Sequence, residues 1–481
     1  KNGDPGFELV SRATRFGTGA FVEELNVRLK EVVPADRVLK PGSIDDYSHD
    51  ECLTVSAVAP AAVVCPESTE EVSAILEYAA IEGIPVTARG AGTGLSGSAI
   101  PSADSIVVSF ERMNKVVEID TENHVAVVQP GLRLNELDEI TKSHGLVYPV
   151  YPGEYSASLG GNIATNAGGM RAVKYGVTRH QVLGLEAVLP GGEVIRTGGK
   201  FVKASTGYDL TQLIIGSEGT LALVTEAVLK LYPRPEYQRT LLAPYLTLDE
   251  ITGAIPRIID SGLNPMILEY IDLLTMAAVQ SYSNLELGIP EDVKGSALAY
   301  LVVMLENTSE SRIDEDSAEL SELLFKLGAI DVYDLPPNSA ADLIAARENA
   351  FWMAKANGAD DVIDIVVPRA QVTNFMNRVS ELATEHEAWV AGCGHAGDGN
   401  VHMGVFCADD TKRSNLLSDL FSAGMDLGGA ISGEHGIGVA KKKYFNELED
   451  PAKIELMRRI KGSFDPTGIL NPGILFDNPP G

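Results

Sequence analysis

The sequence predicts an α+β protein of several domains, and three observations predict it. Helix and strand patterns alternate along the chain, three glycine-dense loops interrupt them in the first half, and after about residue 240 the pattern changes to paired helices and strands. A length of 481 residues fits two to four domains, at about 100–200 residues each. Hydrophobic residues at 45% and charged residues at 22% suffice for ordinary cores.

The first element is a helix that opens at Ser68. With Glu71 three residues on, Ser68 forms a capping box, and Val72, Ile75, Leu76 and Ala79 follow at helical spacing up to Gly83. Short strands are expected at 85–88 and 106–109, then a pair between Val116 and Val128 around a turn at Glu122-Asn123. Leu134 to His144 reads as a helix closed by Gly145. Pro233-Arg234-Pro235 marks a boundary, beyond which Thr247 and Glu250 cap a helix. Strands are then expected at 266–270, 297–305, 330–334, 361–367, 388–395 and 401–406, with helices at 273–280 and 312–327. Strands and helices paired in this way suggest ferredoxin-like units.

Composition narrows the partners. A net charge of −29 repels phosphate backbones, so no nucleic acid is expected. The longest apolar run, 297–305, is strand-sized, so no membrane span is expected. Cys52, Cys65, Cys393 and Cys407 lack paired metal-ligand spacing, which reads as a reducing, cytoplasmic setting. The chain starts at Lys1 rather than Met, so a trimmed targeting segment stays open.

Gly92-Thr93-Gly94-Leu95-Ser96-Gly97 matches G-x-G-x-x-G after a strand. A Rossmann unit would open a helix at the last glycine, yet Pro101 follows almost at once and the next strand begins near Ile106. There is no room for that helix. The glycines instead suit an anion-binding nest of inward N–H groups. Two more glycine-dense stretches, 158–169 and 216–220, let backbone approach a ligand closely, and a ligand that needs three such loops is extended.

Together Arg89 to Gly97, Ala164 to Gly169, Gly216 to Leu221 and the tail Asp465 to Gly473 resemble the FAD-linked oxidase family, of the vanillyl-alcohol-oxidase type. The nearest branch holds the glycolate oxidase flavin subunit, D-lactate dehydrogenase and D-2-hydroxyglutarate dehydrogenase. The likeness runs from about residue 42 to 475. It implies an N-terminal helical segment (1–41), a two-subdomain FAD-binding domain (42–236), a ferredoxin-like cap (237–425) and a C-terminal segment (426–481) completing the site. It implies FAD held by Arg89, Gly90, Ala91, Gly92, Thr93, Gly94, Leu95 and Ser96, then by Pro152, Gly153, Ser158, Gly160, Gly161, Asn162, Thr165, Asn166, Gly168 and Gly169. Glu218, Gly219, Leu223 and Asn471 complete that set. The first loop contains no His or Cys, so the FAD is expected to be non-covalent.

Eight histidines occur, and two of them bracket a hairpin signal at Asp398-Gly399. Centred there, the hairpin sets His395 directly opposite His402, close enough to share a metal ion. In a looser turn the proximity remains. Glu434, beside His435 between glycines, is the candidate third ligand, and two His with one carboxylate suit Zn²⁺, Mn²⁺ or Fe²⁺. Spacing alone leaves a packed His pair equally open. The resemblance implies a divalent metal here, zinc ahead of Mn²⁺ or Fe²⁺. Cys393 is read as packing.

A mechanism follows from that resemblance. The metal would bind the substrate's hydroxyl and one carboxylate oxygen, His435 would take the hydroxyl proton, and the α-hydrogen would leave as hydride to flavin N5. Arg347 is the candidate carboxylate clamp, set against a solvated helix charge. The expected substrate is a small D-2-hydroxy acid. Diacid relatives carry a lysine before the segment matching Asp364 to Pro368, where this chain has Asp360 and Asp361. These acids would repel a second carboxylate, so a lactate- or glycolate-like or longer mono-acid is favoured, with Gly404 replacing a polar residue of some relatives. D-2-Hydroxyglutarate oxidation and a non-redox flavin transferase are the alternatives. The electron acceptor could be a quinone, an electron-transfer flavoprotein, a cytochrome or an iron–sulfur subunit, and a homodimer stays open.

Overall fold

A computed structural model describes residues 18–40, 42–283 and 285–477. Residues 1–17 of the expected N-terminal segment lie outside the described residues, while Thr18–Val32 forms its helix. The chain then builds strands β1 (Ala62–Val64), β2 (Val86–Arg89) and β3 (Ile106–Ser109) into a parallel sheet ordered β1-β3-β2. The helix Thr69–Glu82 makes the crossover. Ser68 Oγ accepts from the Glu71 N–H at 3.3 Å, and Gly83 ends the helix at φ 65°. Val72, Ile75, Leu76 and Ala79 bury its inner stripe against Val64, Val86, Ile106 and Val108.

A second, antiparallel sheet follows. It comprises β4 (Val116–Asp120), β5 (Val125–Val128), β7 (Val182–Val188), β8 (Val194–Gly198) and β9 (Leu223–Lys230), ordered β4-β5-β9-β7-β8. The short β6 (Leu146–Val147) and β10 (Tyr232–Pro233) pair beside it. The tail returns to the first sheet, where Val86 donates to the Ile469 carbonyl at 2.8 Å and Asn471 N–H to the Val86 carbonyl at 2.7 Å. C-terminal residues thus reach the start of the first glycine loop.

Beyond Pro235 the chain forms β11 (Tyr237–Tyr245), β12 (Ile267–Asp272), β13 (Ala299–Asn307) and β14 (Tyr333–Asp334). With helices Leu248–Asp260 and Glu310–Lys326 this is βαββαβ, and the strand order β14-β11-β13-β12 is that of a ferredoxin-like unit. A second unit repeats the plan with β15 (Asp361–Val366), β16 (Trp389–His395) and β17 (Asn400–Phe406), ordered β16-β17-β15. Pairing of β12 with β16 joins the two into one seven-stranded sheet. Where a fourth strand would follow helix Asp410–Asp426, a single bridge from Val366 to Ala430 remains. That truncation frees the next residues, Ser432 to Gly438, to turn toward the FAD-binding half.

The His hairpin differs from the sequence expectation by its register. Cys393 pairs with His402, and His395 pairs with Asn400 across a four-residue loop, 396–399. The His395 carbonyl accepts from Asp398 and Gly399 N–H at 3.1 and 2.9 Å, a turn that needs the longer loop. His395 and His402 are therefore diagonal neighbours on one face, still within reach.

Candidate active site

One cavity of about 520 Å³ runs between the glycine loops and the cap sheet. Its first wall contains every residue from Arg89 to Ser96, with Pro152, Gly153, Ser158, Gly160, Gly161, Asn162, Thr165, Gly169, Glu218, Gly219 and Leu223. Two features of this wall fit an extended anionic cofactor. The Gly92, Thr93 and Gly94 N–H groups donate to no other residue among those described, and buried Asn162 Nδ2 has no partner. A side chain is also excluded at Gly169, which has φ 128° and where a Cβ would collide with the Tyr151 carbonyl.

Three expected cofactor residues stand behind the wall rather than in it. Asn166 caps helix Leu159–Thr165 at φ 55° and accepts the Arg179 N–H at 2.9 Å. Gly168 lets Glu434 approach, since a Cβ there would sit 2.8 Å from Glu434 Oε2. Asn471 Nδ2 donates to the Ser98 and Glu218 carbonyls at 2.9 and 2.8 Å, tying the tail to two loops.

The opposite wall carries the histidines. His402 Nε2 lies 3.0 Å from His395 Nε2 and 3.1 Å from Glu434 Oε1, which is 3.5 Å from His395 Nε2. Ligand atoms about 2.1 Å from a tetrahedral Zn²⁺ stand about 3.4 Å apart, so the triad has the dimensions of a metal site. Behind it, Glu269 Oε1 accepts from His395 Nδ1 at 2.5 Å, which leaves His395 Nε2 to face the triad. Burial opposes the charged forms here, yet Glu269 and Glu434 draw the His395 imidazole up to about 10. His395 and His402 in turn hold the buried Glu434 carboxyl well below the usual range.

His435 sits beside the triad, its ring 5.2 Å from that of His402. Burial presses its pKa down to about 4, so it is neutral at pH 7, and its Nδ1 lacks a hydrogen-bond partner. The Asp364 carboxylate lies 3.5 Å from that nitrogen. Asp364 itself is fully buried and anchors the whole turn. It accepts from Gly433, Glu434 and His435 N–H at 3.0, 2.8 and 2.8 Å, from Ser432 Oγ, and from Lys441 Nζ. From the other side Glu218 accepts the Ile437 and Gly438 N–H groups, so its carboxylate braces this turn although its residue lines the cavity.

Arg347 is not a solvated charge. It ends helix Pro337–Glu348, is 6% exposed, lines the cavity and lies 2.8 Å from Glu269 Oε2. Nη2 is the atom of that ion pair, and neither it nor Nε makes an aligned hydrogen bond. The acidic repulsion expected from Asp360 and Asp361 is not placed at the cavity. Asp360 accepts the Cys407 N–H at 2.7 Å, and Val362, not Asp360 or Asp361, lines the cavity. Cys393 is buried and outside the group that could hold a metal, as expected.

Sequence reasoning missed Glu269, Asp364 as an anchor, and Lys441. Glu269 did leave a signal: a lone carboxylate inside the apolar strand 266–271 that must find a partner. No helix among the described residues is long and apolar enough to cross a membrane.

Comparison with known proteins agrees with this architecture. Residues 60–198 match the FAD binding domain model, and residues 234–475 match the C-terminal domain of FAD linked oxidases. An uncharacterised FAD-linked oxidoreductase of Mycobacterium tuberculosis (strain H37Rv) is 57% identical, covering 95% of this chain and 99% of its own. A D-lactate dehydrogenase of Archaeoglobus fulgidus is 39% identical, covering 94% and 98%. The crystal structure of p-cresol methylhydroxylase superposes with a TM-score of 0.78 at 18% identity, over 96% of this chain and 98% of that one. The glycine-loop wall, the paired ferredoxin-like units and these matches lead to one conclusion: the chain belongs to the FAD-linked oxidase family, an oxidoreductase with the vanillyl-alcohol-oxidase fold.

Proposed function

We propose that this enzyme oxidises a D-2-hydroxy monocarboxylic acid to the 2-oxo acid, with non-covalent FAD and a divalent metal. One observation carries the reading: His395, His402 and Glu434 converge beside His435 on the cavity wall opposite the flavin loops. D stereochemistry is taken from the D-lactate dehydrogenase relative. When bound, FAD accepts two electrons from the substrate and the cation supplies Lewis acidity to its hydroxyl and carboxylate.

The chain's own residues do the rest. Arg347 binds the carboxylate, and Glu269 fixes the directions of Arg347 and His395 together. His435, neutral at pH 7, takes the hydroxyl proton, and Asp364 beside Nδ1 stabilises the imidazolium that results. The glycine loops and the cap sheet shield the reacting atoms from water. Among the described cavity residues the other arginine, Arg89, donates to the His49 and Asp46 carbonyls, which leaves Arg347 to meet the single carboxylate.

Chelation tests the metal. Dialysis against a chelator should abolish turnover, and Zn²⁺ or Mn²⁺ should restore it. Full activity in demetallated protein would contradict the reading. Acid precipitation should leave the flavin in the supernatant, because no His or Cys occurs in Arg89–Gly97. Yellow colour retained in the pellet would mean a covalent link.

A further inference from the structure

The side chain of the hydroxy acid is still unassigned, and its class can be read from the cap sheet. The inference rests on the function proposed above. Register fixes the floor of the cavity row by row. His402 lies opposite Cys393 and Asp364; the next row sets Gly404 opposite Ala391 and Val362; the row after sets Phe406 opposite Trp389. Side chains of one face recur every second residue, about 6.6 Å along the strand. All of Val362, Ala391, Gly404, Trp389 and Phe406 line the cavity.

Moving away from the histidines, a substrate would thus meet small residues and a valine, then an aromatic pair with ring centroids 4.9 Å apart. Leu274, Phe351 and Trp352 add further apolar lining. Trp389 is 53% exposed, so a ligand could cover it and bury apolar surface on both sides. Nothing on this floor offers a charge to a second carboxylate. A glycolate-sized substrate would leave the whole strip wet.

We propose that the site selects 2-hydroxy acids with a bulky apolar side chain, branched aliphatic or aromatic, laid along the strip from Val362, Ala391 and Gly404 to Trp389 and Phe406. The reaction is unchanged: the Cα–H bond breaks and its hydrogen passes with two electrons to FAD, the O–H bond breaks and its proton passes to His435, and the C=O bond forms. Only the group carried on Cα is specified.

The test is kcat/KM of the holoenzyme with an artificial dye acceptor, over D-lactate, D-2-hydroxy-4-methylpentanoate, D-3-phenyllactate and D-2-hydroxyglutarate. Each buried methylene should raise kcat/KM about fourfold. The two bulky acids should therefore exceed lactate at least tenfold, with hydroxyglutarate lowest. Ala391→Phe fills the strip and should lower the ratio of phenyllactate to lactate by at least tenfold. A wild-type preference for lactate or hydroxyglutarate overturns the inference, as does an unchanged ratio in A391F. Should A391F fail to fold, the wild-type series alone decides. Oxidation of lactate without the bulky acids sinks only the side-chain assignment; oxidation of none of them sinks the proposed function as well.

Discussion

At the scale of single residues, the account turns on His435. Its neutrality at pH 7 comes from burial, and its orientation comes from a backbone turn tied to Asp364. His435→Ala should leave FAD binding intact, because His435 meets the first glycine loop through its carbonyl, which accepts from Ser96 Oγ at 2.9 Å, and not through its ring. Turnover should fall about 10²–10⁴-fold, the range for losing a general base. Rapid-mixing measurement of flavin reduction isolates that step, and a near-normal rate would remove His435 from the role. His395, His402, Glu434 and His435 could be picked from the sequence because His and Glu between glycines are chemically conspicuous. Arg347 was legible as a cation but not as a buried one, since its partner Glu269 lies 78 positions earlier.

Among elements, the decisive one is the turn 432–438, which replaces the missing fourth strand of the second ferredoxin-like unit. The sequence showed β2 to β5, β12 to β17, the Ser68 cap and the Thr247 cap, because periodicity and capping are local, but it missed β1 and β6 to β11. It could not show that β15 ends at a bridge to Ala430, or that Asp364 would gather three N–H groups and Lys441, because those contacts span about seventy positions. The hairpin register was also misjudged: the Asp398-Gly399 signal suited a two-residue turn, but the His395 carbonyl takes two N–H groups from a four-residue loop. Burial raises the Asp364 carboxyl, but His435, Lys441 and His402 outweigh it and hold it at about 2. A carboxyl depressed from its unfolded value of about 3.9 stabilises the fold above that pH and loses the contribution as pH falls toward 2. Asp364→Asn leaves Lys441 buried without its counter-charge and should cost about 3–5 kcal/mol at pH 7. Chemical denaturation should show the wild-type advantage shrinking between pH 4 and pH 2; an advantage independent of pH would assign the stabilisation elsewhere.

For the whole molecule, the two halves contribute unlike things to one cavity. The FAD-binding half supplies glycine-rich loops, while the cap sheet supplies His395, His402 and Glu269, the helix Pro337–Glu348 supplies Arg347, and the turn 432–438 supplies Glu434 and His435. The fold class was readable because four motifs in order resemble one family; the cavity was not, because it exists only where Gly168 lets Glu434 meet the flavin loops. The central claim is that this cavity joins flavin, metal and a 2-hydroxy acid. Anaerobic bleaching of the bound flavin tests it most directly, against D- and L-2-hydroxy acids with and without chelator. The account predicts rapid bleaching by D acids, little by their L enantiomers, and loss of the reaction on chelation. Flavin that stays yellow with every 2-hydroxy acid, or bleaches equally well after chelation, would contradict it.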